Sequence, residues 1–178
     1  YKFIAANEIF MWLANNGSTS HDPTTDGSGF YWPGGLDARI SAIFTDGLVW
    51  GGIVGDSIRV GGSTFRHGLQ AGKILINGEA DDTRKEKYRV YKIKRNWEEM
   101  NPDRDDNANG IPDKQEYEKD YREWPVEDGA PWIDVDKDGK FTRGIDKPEI
   151  IGDETLWFVS NDLDPSRTNR LHGTDPTG

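Results

Sequence analysis

Apolar residues in this chain come in short runs broken by glycine and polar turns, and no long run appears. Through residues 1–95 the runs are rich in β-branched and aromatic residues, which is the signature of strands. The expected strands are Lys2–Ile4, Ile9–Ala14, Ala38–Phe44, Leu48–Val54, Asp56–Val60, Ser63–Arg66, Lys73–Ile76 and Lys87–Ile93. Residues 47–62, GLVWGGIVGDSIRVGG, read as a hairpin that turns at Gly55 and Asp56. A β-sandwich or jelly-roll follows from that succession.

The period changes beyond residue 95. In DKQEYEKDYREW, residues 113–124, Tyr117, Tyr121 and Trp124 recur at helical spacing, and Pro125 stops the pattern. One short helix is therefore expected over 113–124. Ahead of it, RNWEEMNPDR has room for about one turn before Pro102 interrupts. Leu156–Ser160 returns to strand character and is expected to pair with the first sheet. The chain thus reads as mainly β, with a core over 1–95 and an acidic insertion over 96–155. A returning strand and an irregular tail over 156–178 complete it.

The insertion carries the candidate chemistry. DDNANGIPDKQE, residues 105–116, places oxygen-bearing side chains at alternate positions around a glycine. A hard cation such as Ca²⁺ takes six to eight oxygens, and a twelve-residue loop supplies them from places 1, 3, 5, 7, 9 and 12. Counted from Asp105, these are Asp105, Asn107, Asn109, the carbonyl of Ile111, Asp113 directly or through water, and Glu116. Gly110 stands at the sixth place, where the chain turns sharply. A solvated turn would also favour Asp, Asn and Gly, but it does not require Glu116.

The motif recurs at DVDKDGKFT, residues 134–142. Asp134, Asp136 and Asp138 alternate ahead of Gly139, and Lys140 would offer its carbonyl. The twelfth place is Ile145, which cannot ligate, so Asp146 or Glu149 would have to close the shell. Neither loop has two flanking helices, which argues against a sensor that opens a helix pair. Both resemble the loops of dockerins and thrombospondin type 3 repeats, in which calcium holds together chain with little core.

The net charge of −10 argues against a nucleic-acid partner, which needs a basic footprint. RKEKYRVYKIKR, residues 84–95, is basic, but it reads as a strand with Lys and Arg facing water. With no cysteine there is neither a disulfide framework nor thiol chemistry. His21, His67 and His172 stand in no catalytic or metal motif, and no serine elbow is present. No stretch is apolar enough to span a membrane. The opening lacks the features of a signal peptide, so a mature or trimmed chain is expected. Aromatic residues leave one alternative role open. FYWPGG, residues 30–35, has three successive aromatics, which cannot all face one core. Tyr31 and Trp32 are therefore candidate stacking residues for a glycan.

Four segments carry a wider resemblance: FMWLANNGS (10–18), GGIVGDSIRVGGSTFRHGLQAGKI (51–74), PWIDVDKDGKFTRGIDKPEI (131–150) and WFVSNDLDPSRTNRLHGTDPTG (157–178). Together they resemble the N-terminal regions of large secreted proteins of Bacteroidota- and Ignavibacteria-like bacteria that carry a C-terminal type IX secretion sorting domain. The resemblance implies an exported, extracellular or cell-surface protein built of β-rich modules. Weak calcium loops point the same way, because they fill at extracellular calcium levels. The expected function is a non-enzymatic, calcium-stabilised structural module of a surface or filament-forming protein. Its partners would be other copies or other domains of the same assembly. A carbohydrate-binding module, or an accessory domain of a secreted hydrolase, is the alternative.

Overall fold

The structure is a computed structural model that describes residues 1–54, 56–62, 69–107 and 109–163. Strand outweighs helix, 33% to 15%, so the chain is mainly β. It divides into two compact units, one formed by Tyr1–Val90 with the chain from Phe158 on, the other by Tyr91–Trp157.

Unit one is organised by an antiparallel six-stranded sheet. Ser41–Ile43, Phe30–Tyr31, Ile9–Leu13, Ser18–Thr19 and Asp46–Gly47 lie side by side in that order, and Lys2–Ala6 also pairs with Ile9–Leu13. Strand alternation puts Phe10 and Trp12 on one face. The register then sets Phe3 opposite Trp12 and Tyr31 opposite Phe10. Phe10 stacks on Phe3 at 4.8 Å and on Tyr31 at 5.6 Å, and Trp12 meets both phenylalanines edge-on. Such ring pairs add about 0.5–1.5 kcal/mol each beyond the area they bury. Among the described residues three two-stranded ribbons accompany it: His21–Asp22 with Gly27–Ser28, Val49–Val54 with Ser57–Gly62, and Gln70–Ala71 with Ser160–Asn161.

Unit two is built on the antiparallel pair Tyr91–Lys94 and Glu154–Trp157, against which the Asp113–Arg122 helix packs. Its core holds Tyr91, Ile93, Trp124 and Ala130, ringed by Trp97, Tyr121, Val126, Ile150 and Trp157. Tyr91, Trp124 and Trp157 form a triangle with centroids 6.1–6.4 Å apart. The buried Trp124 ring donates Nε1–H to the Pro131 carbonyl at 2.8 Å, so its one polar atom is satisfied. A second small ribbon, Trp132–Ile133 with Lys147–Pro148, brackets the second acidic loop.

Several elements differ from expectation for visible reasons. Lys73–Ile76 is not a strand; a single bridge joins Ile74 to Ala80 around an Asn77–Gly78 turn. The run Lys87–Ile93 opens as a 3-10 turn over Glu86–Tyr88. There Asp81 accepts both Lys85 Nζ and Tyr88 Oη at 2.6 Å, which draws those side chains together across a turn. Ala38–Phe44 begins in a short helical turn, Gly35–Ala38, and only Ser41–Ile43 is strand. Leu156–Ser160 divides between Glu154–Trp157 in unit two and Ser160–Asn161 in unit one. The helix ends at Arg122, and Trp124 leaves it to enter the core. Ser63–Arg66 and the tail from residue 164 lie outside the described residues.

Candidate metal centre

Both acidic loops lie in unit two, and both are folded by one hydrogen-bond scheme. In the first, the Asp105 carboxylate accepts the N–H of Asn109 at 3.2 Å and of Gly110 at 2.8 Å. In the second, the Asp134 carboxylate accepts the N–H of Asp138 at 3.2 Å and of Gly139 at 2.9 Å. The side chain at the fifth place then accepts the seventh-place amide, 2.7 Å from Ile111 N to Asn109 Oδ1 and 2.7 Å from Lys140 N to Asp138 Oδ1. Gly110 and Gly139 have φ of 83° and 77°, the left-handed region that favours glycine.

A third contact is common to the two loops and joins residues at different sequence places. Asp113 turns both carboxylate oxygens to the Asp106 amide at 3.2 and 3.3 Å. Asp146 accepts the Val135 amide at 2.8 Å and the Thr142 amide at 2.6 Å. Each buried aspartate thus clasps the second residue of its loop, although one stands at the ninth place and the other at the thirteenth. Sequence spacing alone does not align them, because it counts along a ligand pattern and not along backbone amides.

In the first loop Asp105, Asn107, Asn109 and Glu116 are drawn together. Glu116 accepts the side-chain Nδ2–H of Asn107 at 3.1 Å and that of Asn109 at 3.4 Å. Asn107 Oδ1 also accepts the Asn109 N–H at 2.9 Å. A carbonyl or carboxylate oxygen has two lone pairs, so one amide bond still allows it to face a cation. Ile111 is an exposed residue of the loop, and Ala108 lies outside the described residues.

In the second loop Asp134, Asp136 and Asp138 each bring one carboxylate oxygen within 4.8 Å of the others, an arrangement able to hold a metal ion. Among the described residues no other cluster of at least three acidic or histidine side chains converges in this way. Asp146 stands beside the triad as a clasp and is not a member of it. Glu149 is exposed, and its amide bonds the Pro131 carbonyl at 3.1 Å. Burial, and then the charges of Asp138, Asp146 and Asp134, push the Asp136 carboxyl above its ordinary value. Burial also raises Asp113. Asp136 is nonetheless an exposed side chain, so the repulsion of its three acidic neighbours is the part of its shift that a nearby cation would relieve.

No family model, curated protein or solved structure matches the chain.

The remaining candidates are separated. Tyr31 is half-buried and stacked on Phe10, whereas Trp32 is 53% exposed. His21 bonds Asp26 at 2.8 Å, and His67 and His172 lie outside the described residues. Sequence reasoning missed the buried polar cluster beneath the helix. Lys92 Nζ lies 3.1 Å from Glu154, Tyr117 Oη donates to Glu154 at 2.8 Å, and Asp120 accepts the Lys92 amide at 2.8 Å. A signal was present, since Asp113 and Asp120 flank Tyr117 at the spacing of one helix face.

Proposed function

We propose that this chain is a non-enzymatic, calcium-stabilised structural module of an extracellular or cell-surface protein. The observation that carries the reading is the duplicated loop scheme. Two loops of different sequence fold their amides onto a first-place aspartate in the same way, and in the second three carboxylates also converge. Asp105, Asn107, Asn109, Glu116 and the Ile111 carbonyl would serve the first ion, with Asp113, whose two oxygens hold the Asp106 amide, reaching it through water. Asp134, Asp136, Asp138 and the Lys140 carbonyl would serve the second, with Asp146 holding the loop shut.

Bracing is the natural role for such ions. Unit two has a small core for the length of chain it orders, and the loops are too polar to order themselves. An ion that binds only the folded state stabilises it by about 2.7 kcal/mol when present at a hundredfold excess over its dissociation constant. Assembly with other copies or other domains of the same surface protein completes the proposal. Ile53 and Ile58, paired across the Val49–Val54 hairpin and both strongly exposed, support such a contact.

Calorimetric titration of chelator-treated protein, with melting curves run beside it, tests the reading. Two bound ions and a clear rise in melting temperature are expected, with one ion lost in Asp105→Ala/Glu116→Ala. No binding at millimolar calcium would reduce both loops to polar turns.

A further inference from the structure

The two loops meet the two ends of one helix. The first runs directly into it: Asp113 and Glu116 sit in the first turn of Asp113–Arg122, and the Asp113 amide bonds the Arg104 carbonyl at 2.7 Å. The second reaches back to the other end. Arg143, one residue beyond that loop's ninth place, donates Nη1–H to the Arg122 carbonyl and Nη2–H to the Trp124 carbonyl at 3.2 Å. Its guanidinium also lies over the Phe141 ring, 5.5 Å from the centroid, and Phe141 packs edge-on against Trp132.

We infer that Arg143 couples the two acidic loops through this helix, so that ordering the second loop stiffens the first. The last carbonyls of a helix lack partners within it, and a cation there also meets the negative end of the helix dipole. Arg143 supplies donors and charge together. It is oriented by the loop it belongs to, because Asp146 holds the Thr142 amide next to it. A ten-residue helix is too short to be stable alone and behaves as one cooperative unit. Loosening its final carbonyl, at Arg122, and the exit at Trp124 therefore loosens the first turn, and with it the Glu116 carboxylate that holds Asn107 and Asn109.

The mechanical part of this inference needs no ion; its consequence for affinity rests on the calcium reading above. Hydrogen exchange on the full chain in chelator tests the first part. Arg143→Gln should speed exchange not only at residues 120–127 but also at the Asn109, Gly110 and Ile111 amides, by about fivefold. Exchange at Tyr91–Lys94, the strand beneath, should stay as in the parent. Faster exchange confined to the helix end and the second loop would overturn the coupling. If Arg143→Gln loosens the whole unit, Arg143→Lys decides by the same criterion, because it keeps the charge but offers one donor atom in place of the two nitrogens that reach separate carbonyls.

Calcium titration of the same variants tests the consequence. A first-loop affinity about fivefold weaker in Arg143→Gln supports coupling, and equal affinities for two independent ions overturn it. Absence of calcium binding in the parent overturns the proposed function instead, and the metal-free exchange then decides the coupling alone.

Discussion

At the scale of single residues, Lys92 and Glu154 have the most to lose. Their charges are nearly excluded from water, with side-chain exposures of 9% and 2%. Tyr117 completes the cluster by donating to the same carboxylate and lying under the ammonium at 5.3 Å. Removing one member of a buried pair strands the other, at about 3–5 kcal/mol, whereas replacing both with neutral groups can be close to free. Chemical denaturation should therefore find Lys92→Met destabilised by about 3 kcal/mol, with much of the loss recovered in Lys92→Met/Glu154→Gln. Equal stability of the two variants would show that the charge pair does not dominate this site. Legibility at this scale was uneven. Gly110 and Gly139 announced their turns, because only a left-handed residue closes such loops. Lys92 lay in a run whose bases read as solvent-facing, and nothing local distinguishes it from Lys94. Burial of Lys92 comes from the helix laid across it, which is a long-range fact.

At the scale of elements, the acidic loops of unit two and the turns of unit one should respond to pH with opposite signs. Asp136 and Asp113 have raised carboxyl pKa values in the folded chain, the first cause being burial in each case. A raised carboxyl binds its proton more tightly when folded, so its charged form destabilises the fold above that pKa. In metal-free protein, lowering the pH from neutral towards the ordinary aspartate range near ~4 should relieve that repulsion. Calcium must displace the same protons, so the calcium-dependent rise in melting temperature should shrink over the same window. Asp22, Asp81 and Asp82 behave in the opposite sense, being held below their ordinary values. Asp81 is held down chiefly by Lys85 and Tyr88, so its stabilisation is present above the ordinary range and lost only below it. Melting curves with and without calcium across this range check the first sign; a calcium effect that does not vary with pH would remove the carboxylates from the site. The helix itself was readable, from Tyr117, Tyr121 and Trp124. Its end was not, since Trp124 is drawn out of the helix by the core it fills.

At the scale of the whole molecule, the chain joins a unit organised by a six-stranded sheet to one organised by a helix over a two-stranded pair. Mainly-β character was legible from short runs and frequent glycine. The path of the chain was less so, because Glu154–Trp157 and Ser160–Asn161 read as one strand and serve different units. Only their partners, Tyr91–Lys94 and Gln70–Ala71, tell them apart. This division gives the calcium proposal a sharp spatial consequence. Every side chain offered to an ion lies within Tyr91–Trp157, and each loop amide that folds onto its aspartate lies there too. Ligand binding stabilises only the cooperative unit that holds the ligand. Calcium added to chelator-treated protein should therefore slow hydrogen exchange across 91–157, most at Gly110 and Gly139, and leave the Lys2–Ala6 and Ile9–Leu13 strands as they were. Calorimetric scans should show one transition moving with calcium and another standing still. Equal protection of both sets of strands would mean that the chain unfolds as a single cooperative body, and calcium would then brace the whole molecule through its smaller half.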